Sequence, residues 1–176
     1  MCQIFYKNAL YIEITNTVFQ GKRVSENPTV SKIINDLKLI PHEEGGYWAS
    51  IERDENPQNS YSLINYLLAA DDFSSFHRLS KSDETLMLKD GQAVKVIIIS
   101  PTGKLTEEIV SSNNSVTVPH HSWFAITPLD KNNSYSLITC RCVPAFDYND
   151  FELANRDSLI TLYSEHKNII QEFTRG

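Results

Sequence analysis

The segment FHRLSKSDETLMLKDG, residues 76–91, holds the groups best placed by type and spacing to do chemistry. His77 is followed after six residues by Glu84 and after six more by Gly91, with a polar turn between imidazole and carboxyl. If they face each other on neighbouring strands in a mostly apolar interior, each shifts the other: the carboxylate favours imidazolium, while burial opposes charge on either. Such a pair suits general acid–base work near neutral pH. The same groups also ligate metals, or form a satisfied buried pair that only fixes a fold. His77 and Glu84 are the candidate catalytic residues.

A second segment, LIPHEEGGYW, brings His42, Glu44, Gly45, Gly46 and Tyr47 into one short stretch. Two glycines in a row let the backbone turn sharply or approach a ligand closely, with His42 and Glu44 presenting polar groups at a pocket rim. The alternative is a bend into the first barrel strand with solvated charges. A third segment, VPHHSWFAI, contributes the adjacent His120 and His121. Cys140 and Cys142 stand two apart, so on a strand they share a face. A disulfide between such neighbours is strained, and reduced thiols packed as small hydrophobes agree with a reducing, cytoplasmic compartment.

These groups need a scaffold. Asn27 before Pro28 is a helix start, since Asn caps free amides and Pro at the first position gives up none that was needed. Val30, Ile33, Ile34 and Leu37 follow at helical spacing, which predicts a short helix ending near Leu39, with Pro41 as its stop. From there to about residue 145 the pattern turns to β. SLINYLLA, ETLMLKD, AVKVIIIS, SVTVP, WFAIT and YSLITCRCV are short strands separated by KDG, SPTGK, SSNNS and DKNNS turns. Residues 2–19 read as one or two further strands. In FDYNDFELA, the rings of Phe146, Tyr148 and Phe151 are expected to cover a barrel end while the acids face water or cap the next helix. A second helix then shows Leu162, Tyr163, His166, Ile169, Ile170 and Phe173 on one face.

The chain has 176 residues, 41% of them hydrophobic and 22% charged, which fits one ordinary globular domain. A net charge of −6 argues against nucleic acid as a partner. No apolar run reaches the roughly 20 residues that span a bilayer. The first residues contain Lys7 and no long apolar core, so no secretory signal is expected.

Taken in order, the segments resemble the cupin superfamily. His77, Glu84 and Gly91 follow its first motif, His-x-His, a short turn, Glu, six residues, Gly; Pro119 opens a stretch similar to its second, Pro-x-Gly-x-x-His. The similarity is greatest to the cupin-5 branch, largely a domain of unknown function. It rests on His42–Gly46, Phe76-His77-Arg78, the Asp83–Glu84 pair and Pro144–Glu152, across roughly residues 29–165. The resemblance implies an all-β fold, a cupin-type double-stranded β-helix (jelly roll) over residues 29–176 with flanking N- and C-terminal helices. Residues 1–28 are expected to form an extension that adds a strand to the barrel or across a homodimer.

In metal-binding cupins two or three imidazoles and a carboxylate converge on a transition metal. Here Leu79 stands at the second histidine of the first motif and Phe124 at the histidine of the second, so hydrocarbon replaces two ligands. No metal and no other cofactor is therefore expected. His120 and His121 are replacement ligands or solvated turn residues, and His121 takes the place of the turn glycine, which histidine tolerates. Glu43 replaces a proline of the family segment. Leu86 and Met87 replace a Trp-His pair, and Met87 has opposite strand parity to Glu84.

The function implied is a metal-independent small-molecule-binding cupin, for a sugar-like or small acidic ligand, with Phe124 joining His42, Glu44, Gly45, Gly46 and Tyr47 as ligand-binding residues. The alternatives are an epimerase or isomerase using His77 as base with Tyr47, Tyr66 or Tyr135 as the candidate acid, as the resemblance to metal-free sugar-nucleotide epimerases of similar fold implies, and a degenerate barrel serving as a protein-interaction scaffold. A metal-dependent dioxygenase ranks last.

Overall fold

The computed structural model describes residues 27–131 and 135–175. The expected strand over residues 2–19, with its role in a dimer, lies outside the described residues. Helix α1 (Pro28–Leu37) begins as its sequence requires: the Asn27 side chain accepts the Thr29 N–H at 2.9 Å, and Pro28 occupies the first turn. It ends one turn before Pro41 because Lys38 adopts a left-handed φ of 53° and returns its N–H to the carbonyls of Ile34 and Asn35. Pro41 is not the stop. It lies in β1 (Ile40–Pro41), an edge strand where a missing N–H is tolerated.

Ten more strands follow: β2 (Tyr47–Asp54), β3 (Tyr61–Ala69), β4 (Ser74–Leu79), β5 (Asp83–Gly91), β6 (Val94–Ile99), β7 (Leu105–Val110), β8 (Ser115–Val118), β9 (Trp123–Pro128), β10 (Tyr135–Val143) and β11 (Phe151–Leu153). They form two antiparallel sheets, ordered β1-β2-β3-β10-β5-β8 and β11-β4-β9-β6-β7. Consecutive strands β4 and β5 belong to different sheets, so the turn between His77 and Glu84 crosses the barrel. This is the jelly-roll arrangement expected from the sequence.

Strand alternation divides the apolar residues between an inside and an outside. Tyr66, Leu68, Leu86, Val96, Phe124 and Ile138 point into the barrel and pack on one another. Their neighbours point out: Leu67 and Leu137 meet α1 through Val30, while Phe76, Ile97 and Trp123 meet the C-terminal helices through Leu159, Ile170 and Phe173. Covered on both faces, β4 and β9 are almost wholly buried and lose the alternating pattern that marks a half-buried strand.

The C-terminal segment is not the single helix its apolar spacing predicts. It is α2 (Arg156–Leu162), a 3₁₀ turn at Ser164–His166, and α3 (Lys167–Glu172). Leu162 consequently leaves the apolar face for solvent, and His166 donates from Nε2 to the Gly103 carbonyl at 2.8 Å.

Candidate functional site

The residues between β1 and β2 form a tight loop that aims one carboxyl into the barrel. His42 donates its N–H to the Gly46 carbonyl and Gly45 donates to the His42 carbonyl, both at 3.1 Å. Gly45 and Gly46 have φ of 118° and 64°, and a Cβ on them would sit 2.3 Å from the Phe73 carbonyl oxygen and 2.6 Å from that of Leu67. Only glycine fits here. The loop is then stitched to the start of β4: Ser75 donates its N–H to the Glu44 carbonyl at 2.8 Å, and Gly46 donates to Asp72 Oδ2 at 3.0 Å. From the other side Arg175, stacked on Phe73, donates to the carbonyls of Glu44 and Phe73, to Ser75 Oγ and to Asp72.

Glu44 is therefore not a rim residue. It is 6% exposed and reaches the imidazole of His77, with 3.3 Å between Glu44 Oε2 and His77 Nε2. Its other oxygen accepts the Ser74 hydroxyl at 2.9 Å, and His42 Nδ1 lies 3.6 Å from Oε2. A bulge in the β4–β9 pairing between Ser74 and His77 turns both side chains inward despite their odd spacing. His77 Nδ1 is 2.8 Å from the Ser75 carbonyl, which can only accept, so that nitrogen carries the proton and Nε2 faces Glu44. Two bare lone pairs at 3.3 Å repel, so the Glu44–His77 pair is stable when it holds a proton between its members.

Burial governs the electrostatics. It raises the Glu44 carboxyl above its ordinary range against the pull of His42, and it lowers both His77 and His42 below the usual histidine value against the pull of carboxylates. Glu84 is raised as well, first by burial; His77 and the Cys140 and Cys142 thiols oppose this, and Glu44 adds to it. Cys142 stands directly opposite Glu84 across the β10–β5 ladder, and burial pushes both thiols well up, so they are held protonated. The shared face expected for the two cysteines is the barrel interior, where they are unbridged.

These groups line one cavity of about 420 Å³. Its walls include Trp48, Tyr66, Phe146, Tyr148 and Phe151, so the aromatic segment after β10 does cover the barrel end. His42 is held edge-on between Trp48, Tyr66 and Phe151 at ring distances of 5.9–6.2 Å. Arg53 reaches the mouth because a bulge between Ser50 and Glu52 reverses the parity of β2. Its guanidinium is already engaged by the Phe146 carbonyl and by Glu55.

The expected site residues are thus only partly brought together. His42, Glu44, His77 and Glu84 share the cavity. Gly45 and Gly46 shape the loop behind it, and the Gly45 carbonyl accepts the Tyr66 hydroxyl at 2.7 Å. Phe124, expected as a ligand-binding residue, is not among the residues that line the cavity; it lies behind His77, ring centroids 4.0 Å apart and planes tilted by 55°. Tyr47 does not line the cavity: it is on the opposite face of β2, packed in the α1 cluster. Tyr135 lies at the far end of β10, bonded to Asp90. His120 and His121 stay outside as exposed turn residues, His120 bonded to Asp83 at 2.7 Å and His121 at φ 64°. Met87, as its parity requires, is absent from the barrel core that Leu86 joins.

Sequence reasoning missed Glu44 as the direct partner of His77, along with Ser74, Trp48 and Arg53. The alternation Gly46–Tyr47–Trp48 carried a signal for Trp48, whereas Ser74 and Arg53 depend on bulges that no spacing rule reveals. Among the described residues, no three His, Cys, Asp or Glu side chains are grouped so as to hold a metal ion. Leu79 lines the cavity and Phe124 pairs with His77 across the ladder, so the positions expected of further ligands are hydrocarbon and the donor set does not fit the transition metal of other cupins.

Comparison with known proteins agrees with this fold. The family pattern described as Cupin superfamily (DUF985) matches residues 31–154. A crystal structure of a Shewanella oneidensis protein is 31% identical, with a TM-score of 0.75 over 82% of this chain and 96% of its own. A hypothetical protein from Leishmania major is 28% identical, with a TM-score of 0.75 over 83% and 98%. Oxalate decarboxylase from Lactobacillus farciminis, at 13% identity and a TM-score of 0.56 over 81% of this chain and 43% of its own, shares the fold. None of the curated proteins matches the chain. No helix among the described residues is long and apolar enough to cross a membrane.

Proposed function

Because the chain belongs to the Cupin_5 family (DUF985) of the cupin superfamily, we propose that it holds a small organic molecule inside the barrel, with the Glu44–His77 pair as the polar floor and no metal taking part. The observation that carries this reading is the 3.3 Å contact between two buried titratable groups that open onto a cavity of about 420 Å³. A cavity of that size walled by rings, with a few convergent polar groups, has the make-up of a small-molecule site. A fragment library followed by NMR tests it. Hits are expected to move the His77 and Trp48 side-chain signals together. If every hit moves outer-surface signals and leaves these two unmoved, the reading fails.

One observation favours a second reading, proton transfer to and from the bound molecule. Burial keeps His77 largely neutral near pH 7, as a base must be, and raises the Tyr66 phenol beside Glu44 so that it stays protonated as an acid. The Tyr66 proton is given to the Gly45 carbonyl, so it would have to leave that bond to act. In an epimerase or isomerase of this kind, His77→Gln abolishes solvent deuterium uptake into the substrate. In a binding protein it only weakens affinity.

A further inference from the structure

The carboxyls of the cavity differ in how far they are satisfied. Glu44 has Ser74, His42 and His77 around it. Asp147 caps the 3₁₀ turn at Tyr148–Asp150 by accepting the Asn149 N–H at 2.9 Å. Glu84, 9% exposed and lining the same cavity, receives no oxygen or nitrogen donor from the described residues; beside its carboxyl are the Cys140 and Cys142 thiols, which are weak donors. With His77 nearby as a charge partner but only thiols to donate hydrogen bonds, the buried carboxyl gains from a stronger donor.

The charge balance of the walls says which donor. Glu44, Glu84 and Asp147 face the cavity, and among the described residues the single Arg or Lys of its lining is Arg53, spoken for by Glu55 and Phe146. An anionic ligand would meet like charge with no free cation to receive it. A neutral hydroxyl would satisfy Glu84 but leave the excess of carboxyls unused. An ammonium group both donates to Glu84 and gains from the aromatic walls, since rings attract cations.

Resting on the reading of the cavity as a small-molecule site, we infer that its ligand carries a protonated amine, received by Glu84 on the cavity wall with the aromatic residues around the rest of the molecule.

Three probes that share one ring and differ in head group test this: benzylammonium, benzyl alcohol and benzoate, titrated against the full chain with the His77 and Trp48 NMR signals as readout. Benzylammonium is expected to bind most tightly and benzoate least, with about tenfold or more between amine and alcohol. Glu84→Gln is expected to erase that preference. If the alcohol or benzoate binds as tightly as the amine while moving the interior signals, the amine is wrong and the cavity reading survives. If benzylammonium fails to saturate, or binds without moving those signals, the inference falls. An amine preference unchanged in Glu84→Gln overturns the role of Glu84.

Discussion

His77 meets Glu44, not Glu84, at contact distance: Nε2 and Oε2 are 3.3 Å apart, and the two residues come from β4 and from the loop between β1 and β2. Burial lowers the imidazole against the pull of Glu84, and a carboxylate 3.3 Å from Nε2 acts in the same direction as that pull. Removing the Glu44 charge therefore leaves burial less opposed. In Glu44→Gln the His77 ring is expected to titrate at lower pH than in the wild type, read from its imidazole C–H resonances. A rise, or no change, would mean that the two groups do not share a proton.

Glu84 gives a stability prediction of definite sign. Its carboxyl is raised above 4.5 by burial, so the folded chain binds that proton more tightly than the unfolded chain does. The resulting stabilisation is complete below pH 4.5 and is lost as pH rises through the folded-state value. Glutamine stays neutral throughout. Glu84→Gln should thus match the wild type in mild acid and exceed it increasingly toward mild alkali, by about 1.4 kcal/mol for each unit of the shift. Thermal melts of the two proteins across that range check it, and a difference that narrows with rising pH contradicts it.

The jelly roll was legible because most of its strands show apolar alternation or punctuation by Gly, Asn and Pro. β3, β5, β6, β8, β9 and β10 stand where they were read. β4 was missed because both its faces are buried and a bulge breaks its period, and β7 because it is a charged edge strand paired only with β6. The site followed the same rule. Residues on regular strands, such as His77 with Leu79 or Cys140 with Cys142, could be assigned a face from parity alone. The meeting of Glu44 with His77 could not, since it depends on how the glycine loop docks against β4, a tertiary fact with no sequence period. Tyr47 went astray for a simpler reason: the loop hands its inward position to Trp48.

The docking of that loop is itself testable through Arg175. Its guanidinium satisfies the carbonyls of Glu44 and Phe73 together with Ser75 Oγ. Arg175→Ala takes the guanidinium donor from the Phe73 carbonyl and Ser75 Oγ and leaves the Glu44 carbonyl with the Ser75 N–H alone, which should cost about 1–3 kcal/mol in denaturant unfolding. Lysine cannot reproduce the planar fork and should rescue little. Because Glu44 is anchored by this contact, the His77 titration should move in the same variant; unfolding that weakens while His77 is unaffected would reduce Arg175 to a structural clasp.

Gly45 makes the stronger demand. Any Cβ there would collide with the Phe73 carbonyl at 2.3 Å, in a backbone at φ 118° that side chains rarely adopt. Gly45→Ala should destabilise by more than about 1 kcal/mol, reversing the usual small gain from replacing glycine. Serine at the same place should do no better, since the obstacle is the β-carbon itself. Chemical denaturation of both variants distinguishes this from a loop that simply tolerates substitution.

The hydrocarbon at positions 79 and 124 can be replaced to ask whether it closes the barrel to metals. Leu79 lies two residues from His77 on the same inward face of β4, and Phe124 is the direct partner of His77 on β9. Histidine at both places would put two more nitrogen donors around His77 and Glu84. The apo double variant Leu79→His with Phe124→His should be less stable than the wild type, because two well-packed side chains are lost. A divalent nickel or cobalt ion should restore it, by about 2.7 kcal/mol at a hundredfold excess over Kd, while leaving the wild type nearly unchanged. Melting curves with and without the ion read both effects. Equal stabilisation of wild type and variant would show that the native donors already bind the metal, and that Leu79 and Phe124 do not decide the chemistry of this cavity.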